Sequence, residues 1–181
     1  MLIRADTSCL LVIDLQERLM PAVERADAVV ANAIWLIRIA QRLGVPILAS
    51  EQYPQGLGRT VAAIREVLPE DTFMEKTHFS CAAEVHCMRR IDLLSRPQMV
   101  LLGTESHVCV LQTALDLRLA GKDVYLVADA VSSRSSGDVD LALARVRAEG
   151  VRVVSREMVA FEWLHRAGTE PFREISREFL C

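Results

Sequence analysis

Three residues of unlike chemistry each follow an apolar run: Asp14 after "CLLVI", Lys76 after "TFME", and Cys109 six residues past "QMVLLG". A carboxylate, an ammonium and a thiol are the parts of a nucleophilic site. The carboxylate can take the thiol proton and later return it to a leaving group, and the lysine can hold that carboxylate in place. An isolated thiol titrates near ~8.5, and both a helix N-terminus and a neighbouring ammonium stabilise its ionised form. The expectation is a Cys109 thiolate of depressed pKa, suited to acyl transfer. Backbone N–H groups around Cys109, at a strand-to-helix turn, would donate to the oxyanion of a tetrahedral intermediate.

These residues can meet only if the elements between them bring their ends together. "SCLLVIDLQ" reads as a buried strand ending at Asp14, and "VPILAS", "TFMEK", "QMVLLG", "DVYLVAD" and "VRVVS" supply five more. A long helix from Pro21 carries Val30, Ile34, Ile37 and Ala40 on one face and stops at Gly44 before Pro46. Helical patterns cover "TVAAIREVL" and residues 81–94, 107–120 and 138–149, and two more lie within 157–180. Strands alternating with helix-length crossovers predict a doubly wound, mostly parallel six-stranded sheet with helices on both faces, a Rossmann-like three-layer α/β fold. In such a sheet the carboxyl ends of all strands share one edge, where ligands bind. Asp14, Lys76 and Cys109 all fall on that edge.

The bulk properties agree. The chain has 181 residues, 51% of them hydrophobic, 25% charged and 5% aromatic, enough for one domain, residues 1–181, with an aliphatic core. Net charge −3 gives no general attraction to nucleic acid or to an anionic membrane surface. The opening stretch reaches Asp14 too soon for a signal peptide or membrane span, so the expected location is cytoplasmic. Five cysteines (Cys9, Cys81, Cys87, Cys109, Cys181) are an odd set in a chain with a large core, and reduced thiols are expected.

Taken singly, each candidate has a plainer explanation: an aspartate caps a loop, a lysine is solvated, a cysteine packs in a core. Their coincidence on one edge, and a motif match, favour function. "VIDLQ" at 12–16, "EKTHFSC" at 75–81, "GTESHVCVLQTALDL" at 103–117 and "VADAVSSR" at 127–134 resemble the isochorismatase-like cysteine hydrolases. The match runs over roughly residues 6–180. "SEQYPQGLG" at 50–58 and "HVCV" are similar to its isochorismatase domain-containing branch. The resemblance implies a catalytic triad of Asp14, Lys76 and Cys109. It also implies a cis peptide between Thr104 and Glu105 that aims the Glu105 and Cys109 amides as an oxyanion hole. Family members acting on nicotinamide hold a metal after strand two with one aspartate and two histidines. Here that segment, "SEQYPQGLGRT", has no histidine, so no metal and no cofactor are expected. Members cleaving the vinyl ether of isochorismate can lack the cysteine, so Cys109 favours a thiol mechanism on a C–N bond.

Gln16, Gln52 and Phe79 lie beside the expected site and are candidates for a substrate pocket. His107 is two residues from Cys109 and points elsewhere on a helix. Cys81, His86 and Cys87 read as core or surface residues, and "GLG" at 56–58 lacks the third glycine of a dinucleotide fingerprint. It belongs to a loop that could act as a substrate lid. Asp129 reads as a cap or loop anchor. His78, His165, Cys9 and Cys181 carry no reading beyond structure. The expected function is hydrolysis of a small-molecule, amide-type C–N bond through a thioester, in a homo-oligomer of two or more copies. A non-catalytic oligomeric scaffold or thiol-based redox sensor, and an isochorismatase-type vinyl ether hydrolase, are the alternatives.

Overall fold

In the computed structural model, which describes residues 1–180, the apolar runs become six strands. They are β1 (Ser8–Ile13), β2 (Ile47–Gln52), β3 (Phe73–Lys76), β4 (Gln98–Thr104), β5 (Asp123–Ser132) and β6 (Arg152–Val154). The order is β3-β2-β1-β4-β5-β6, with every neighbouring pair parallel. Around the sheet lie α1 (Ala26–Arg42), α2 (Pro54–Leu57), α3 (Ala62–Arg65), α4 (Val85–Leu93), α5 (Leu111–Leu119), α6 (Ser136–Ala148), α7 (Arg156–Leu164) and α8 (Glu170–Ile175). Cys181 lies outside the described residues.

β1 is buried along its whole length, and its side chains alternate between two cores as the period of a strand requires. Leu10 and Val12 face α1 and α7, while Cys9, Leu11 and Ile13 face α4, α5 and α6. A strand covered on both faces must be apolar at every position, which is why these runs lack the polar alternation of a half-exposed strand.

Several element bounds differ from the sequence reading. α1 begins at Ala26, after a 3-10 turn at Met20–Ala22, and its buried stripe is Val29, Ala33, Leu36, Ile37 and Ala40. Val30 and Ile34 are half-buried beside it. The stretch 60–68 holds one short helical turn, Ala62–Arg65, and the helix expected from residue 81 begins at Val85. The residues before it form a loop whose Thr77 and His78 amides donate to the Glu84 carboxylate at 3.0 and 3.2 Å. The helix expected from 107 opens with a π-helical turn, Ser106–Val110, before α5.

The chain winds outward from β1 to β2 and β3, then returns to place β4 on the other side of β1. A doubly wound sheet opens its crevice at such a reversal, outside the strand ends. Gly103 keeps β1 and β4 close there. Its φ is +124°, and a Cβ at this position would lie 2.0 Å from the Ile13 carbonyl oxygen. Gly103→Ala combines a forbidden backbone region with a backbone clash and is expected to cost about 2–5 kcal/mol. Urea unfolding of the variant against wild type measures this.

Candidate active site

Asp14 is the first residue past β1. Its φ of +49° turns the chain out of the strand, and its amide donates to the Ser50 carbonyl at 3.1 Å. The side chain is fully buried: Oδ1 accepts from Ser50 Oγ at 2.7 Å and Oδ2 from Lys76 Nζ at 2.7 Å. Lys76 ends β3, with β2 between it and β1, so a long side chain is needed to reach Asp14. Nζ also donates to Gln52 Oε1 at 2.6 Å and to the Phe79 carbonyl at 3.0 Å. Those partners answer the ammonium's remaining donors in a place without water access.

Cys109 lies in the π-helical turn after β4, 5% exposed, close enough to Asp14 and Lys76 for both to act on its thiol. The three residues therefore converge at the β1–β4 switch point. The peptide between Thr104 and Glu105 is cis, Thr104 Oγ1 donates to the Asp14 carbonyl at 2.9 Å, and the Glu105 carboxylate pairs with Arg134 Nε at 2.6 Å. Ser133 braces the turn from the end of β5: its Oγ lies 2.5 Å from Ser106 Oγ and 2.9 Å from His107 Nδ1. His107 is thus engaged away from the thiol.

The pocket candidates divide. Gln52 joins the site through Lys76. Gln16, in contrast, is fully buried and committed to backbone: Nε2 donates to the Gln52 and Gly58 carbonyls at 2.9 and 2.7 Å, and Oε1 accepts from the Gln52 amide at 2.7 Å. It braces the end of β2 against the 51–60 loop. Phe79 meets the site through its carbonyl, while the residue is 52% exposed. Sequence reasoning missed Ser50, Ser133 and Arg134, whose residue types are ordinary in loops and at strand ends. The 51–60 loop is stitched down, with the Arg18 and Glu17 amides donating to the Leu57 and Arg59 carbonyls at 3.1 and 2.9 Å. Beside Lys76 a cleft of about 200 Å³ is lined by Tyr53, Glu75, Glu84 and His86, among others. Asp129 anchors α7, its Oδ1 accepting from the Arg156 amide at 2.8 Å.

The thiol departs from the sequence expectation. Burial pushes the Cys109 thiol up, and the Asp14 charge pushes it further, against an opposing pull from Lys76. Asp14 is also raised, by desolvation, with Lys76, Ser50 and Cys109 pulling the other way. A helix start and a lysine do not produce a depressed pKa here, because the ammonium is shared with an anion and water is excluded. The thiol rests protonated beside the Asp14–Lys76 pair.

The fold is a three-layer α/β sheet, all parallel, with Asp14, Lys76 and Cys109 outside its switch point. The chain belongs to the isochorismatase family: the family model described as Isochorismatase domain matches residues 8–158. It is 37% identical over 175 residues to isochorismatase domain-containing protein 2A of Mus musculus, covering 95% of this chain and 82% of that one. Among solved structures it is similar to the MAR1 ribonuclease of Caenorhabditis elegans, with TM-score 0.92, 33% identity, and 100% and 93% coverage of the two chains. It shares its fold with the Escherichia coli YcaC gene product, described as an octameric hydrolase of unknown specificity, at TM-score 0.92, 18% identity, and 99% and 91% coverage.

The segment after β2 does not fit the metal site of the nicotinamide-hydrolysing members. The Glu51 carboxylate there accepts from the Thr60 amide at 2.6 Å and pairs with Arg65 at 3.2 Å. Among the described residues no three His, Cys, Asp or Glu side chains are grouped to hold a metal ion.

The raised thiol makes a prediction about pH. Alkylation of Cys109 by iodoacetamide should keep rising beyond pH ~10, where a free cysteine, half-ionised near pH ~8.5, has reached its plateau. Asp14→Asn, which removes the charge that raises the thiol, should move the profile to lower pH. Rates read by peptide mass spectrometry, with circular dichroism verifying the fold, check both; a wild-type plateau at neutral pH would contradict the assignment.

Proposed function

We propose that this chain is a cofactor-independent hydrolase that cleaves a small amide-type C–N bond with Cys109 as nucleophile. The observation that carries the reading is the fully buried Asp14–Lys76 ion pair against the Cys109 thiol. Removing two charges from water is expensive, and a purely structural core would be at least as stable with apolar groups there. Asp14 is the base: its raised pKa improves its match to the thiol proton it must accept. As the proton passes to Asp14, the sulfur attacks the carbonyl carbon and the carbonyl electron pair moves to oxygen. The Glu105 and Cys109 amides hold that oxyanion. Collapse breaks the C–N bond, the leaving nitrogen takes the proton from Asp14, and a thioester remains. Water then attacks the thioester, giving its proton to Asp14. The C–S bond breaks as the acid departs, and the proton returns to sulfur. Lys76 keeps Asp14 oriented throughout and favours its ionised form whenever the proton has left it.

A homo-oligomer fits the exposed apolar side chains Val85 and Leu93 of α4 and the octameric E. coli relative of the same fold. A reducing, cytoplasmic location fits the four free thiols among the described residues. The ribonuclease description of the C. elegans protein makes RNA a necessary control substrate, although net charge −3 supplies no general attraction for a phosphate backbone.

Ammonia release from a panel of small amides and carbamoyl compounds tests the reading. At least one should be turned over, and Cys109→Ala should abolish turnover while keeping the wild-type circular dichroism spectrum. An alanine variant as active as wild type would rule out the covalent route. RNA cleavage that survives the substitution would favour a different activity.

A further inference from the structure

The loop between β3 and α4 contains a buried hydroxyl that the scheme above does not use. Ser80 is 3% exposed, and among the described residues no atom hydrogen-bonds its Oγ. The residues on either side fix its place. Phe79, before it, gives its carbonyl to Lys76 Nζ at 3.0 Å, and Cys81, after it, donates its amide to Thr113 Oγ1 at 2.9 Å. Thr113 is four residues beyond Cys109 on the same helical run, about one turn away. Along the chain Ser80 therefore sits between a residue bonded to the ammonium of the site and one bonded to the helical run that carries Cys109. Thr77, His78 and Phe79 are exposed, and the chain turns inward at Ser80 and Cys81. The loop is clasped from outside by Glu84, whose carboxylate is held down to about 2 by the Thr77 amide and by the His78 side chain and amide.

A buried hydroxyl without a partner is unfavourable, and native structures rarely keep one without reason. Thr60 Oγ1 is a second such atom, but the Thr60 amide is bound to Glu51 and nothing ties that residue to Lys76 or Cys109. At Ser80 the position offers a reason. We infer that the Ser80 hydroxyl is a substrate-binding group of the Cys109 site, pairing with the amide group of a small ligand seated at the sulfur. This rests on the hydrolase reading for the ligand's chemistry. A hydroxyl both donates and accepts, so it can meet the carbonyl or the N–H side of such a group. It would favour amides over apolar molecules of equal size.

Alkylation separates this from the catalytic reading. Iodoacetamide brings an amide to Cys109, with an S–C bond forming as iodide leaves, whereas methyl methanethiosulfonate forms a mixed disulfide as its S–S bond breaks and methanesulfinate leaves, and brings only a methylthio group. Rates at Cys109 are measured for both reagents, at one fixed alkaline pH, in wild type and Ser80→Ala. The expected result is a roughly three- to tenfold fall in the iodoacetamide rate relative to the methanethiosulfonate rate, the equivalent of one neutral hydrogen bond. An unchanged ratio would overturn the inference. So would equal slowing of both reagents, which would place Ser80 in thiol activation or packing. If the variant is not recovered folded, a crystal structure of the wild-type carbamidomethyl adduct decides. Ser80 Oγ within hydrogen-bond distance of the adduct amide supports the inference, and an Oγ bonded only to protein or water overturns it. Failure of Cys109→Ala to abolish turnover would defeat the hydrolase reading while leaving both ratio and adduct readable.

Discussion

The structure depends on a desolvated ion pair. Asp14 and Lys76 are both withdrawn from water, and their mutual attraction offsets that loss only because further groups satisfy what remains: Ser50 on the carboxylate, Gln52 and the Phe79 carbonyl on the ammonium. These groups come from four stretches of chain, Ser50 and Gln52 sharing β2. The end of β1, the end of β2, the end of β3 and the loop after β3 must all be in place before the pair is stable. Gln16, which ties β2 to the 51–60 loop, belongs to the same requirement one step further out.

The thiol is set by the same pair. A lysine near a cysteine ordinarily favours the thiolate, yet this lysine's charge is largely answered by an aspartate that also faces the sulfur. Burial then decides the sign, and the thiol stays protonated in the resting protein. Asp14 and Cys109 are both raised, and desolvation is the leading cause for each.

Geometry at the sulfur is kept by constraints that reach across the sheet. Gly103 allows β4 to approach the end of β1, the Thr104 hydroxyl binds the Asp14 carbonyl, and Ser133 and Arg134 at the end of β5 hold the turn from the far side. These contacts join β1, β4 and β5 at their carboxyl ends, so that the loops carrying Asp14 and Cys109 rest on the rigid centre of the sheet.

The sequence by itself determined the strands, their parallel arrangement and the edge on which Asp14, Lys76 and Cys109 lie. Unbroken apolar runs separated by helix-length crossovers leave few other ways to bury that surface. The motif spacing was equally legible, because a residue that ends a strand is fixed in space once the strand is. Only the tertiary structure decided the state of the thiol, the roles of Gln16 and Phe79, and the bracing by Ser50, Ser133 and Arg134. A pKa depends on dielectric and on the sum of neighbouring charges, and a glutamine's role on which distant carbonyls it meets. Neither quantity is carried by residue type or by spacing along the chain.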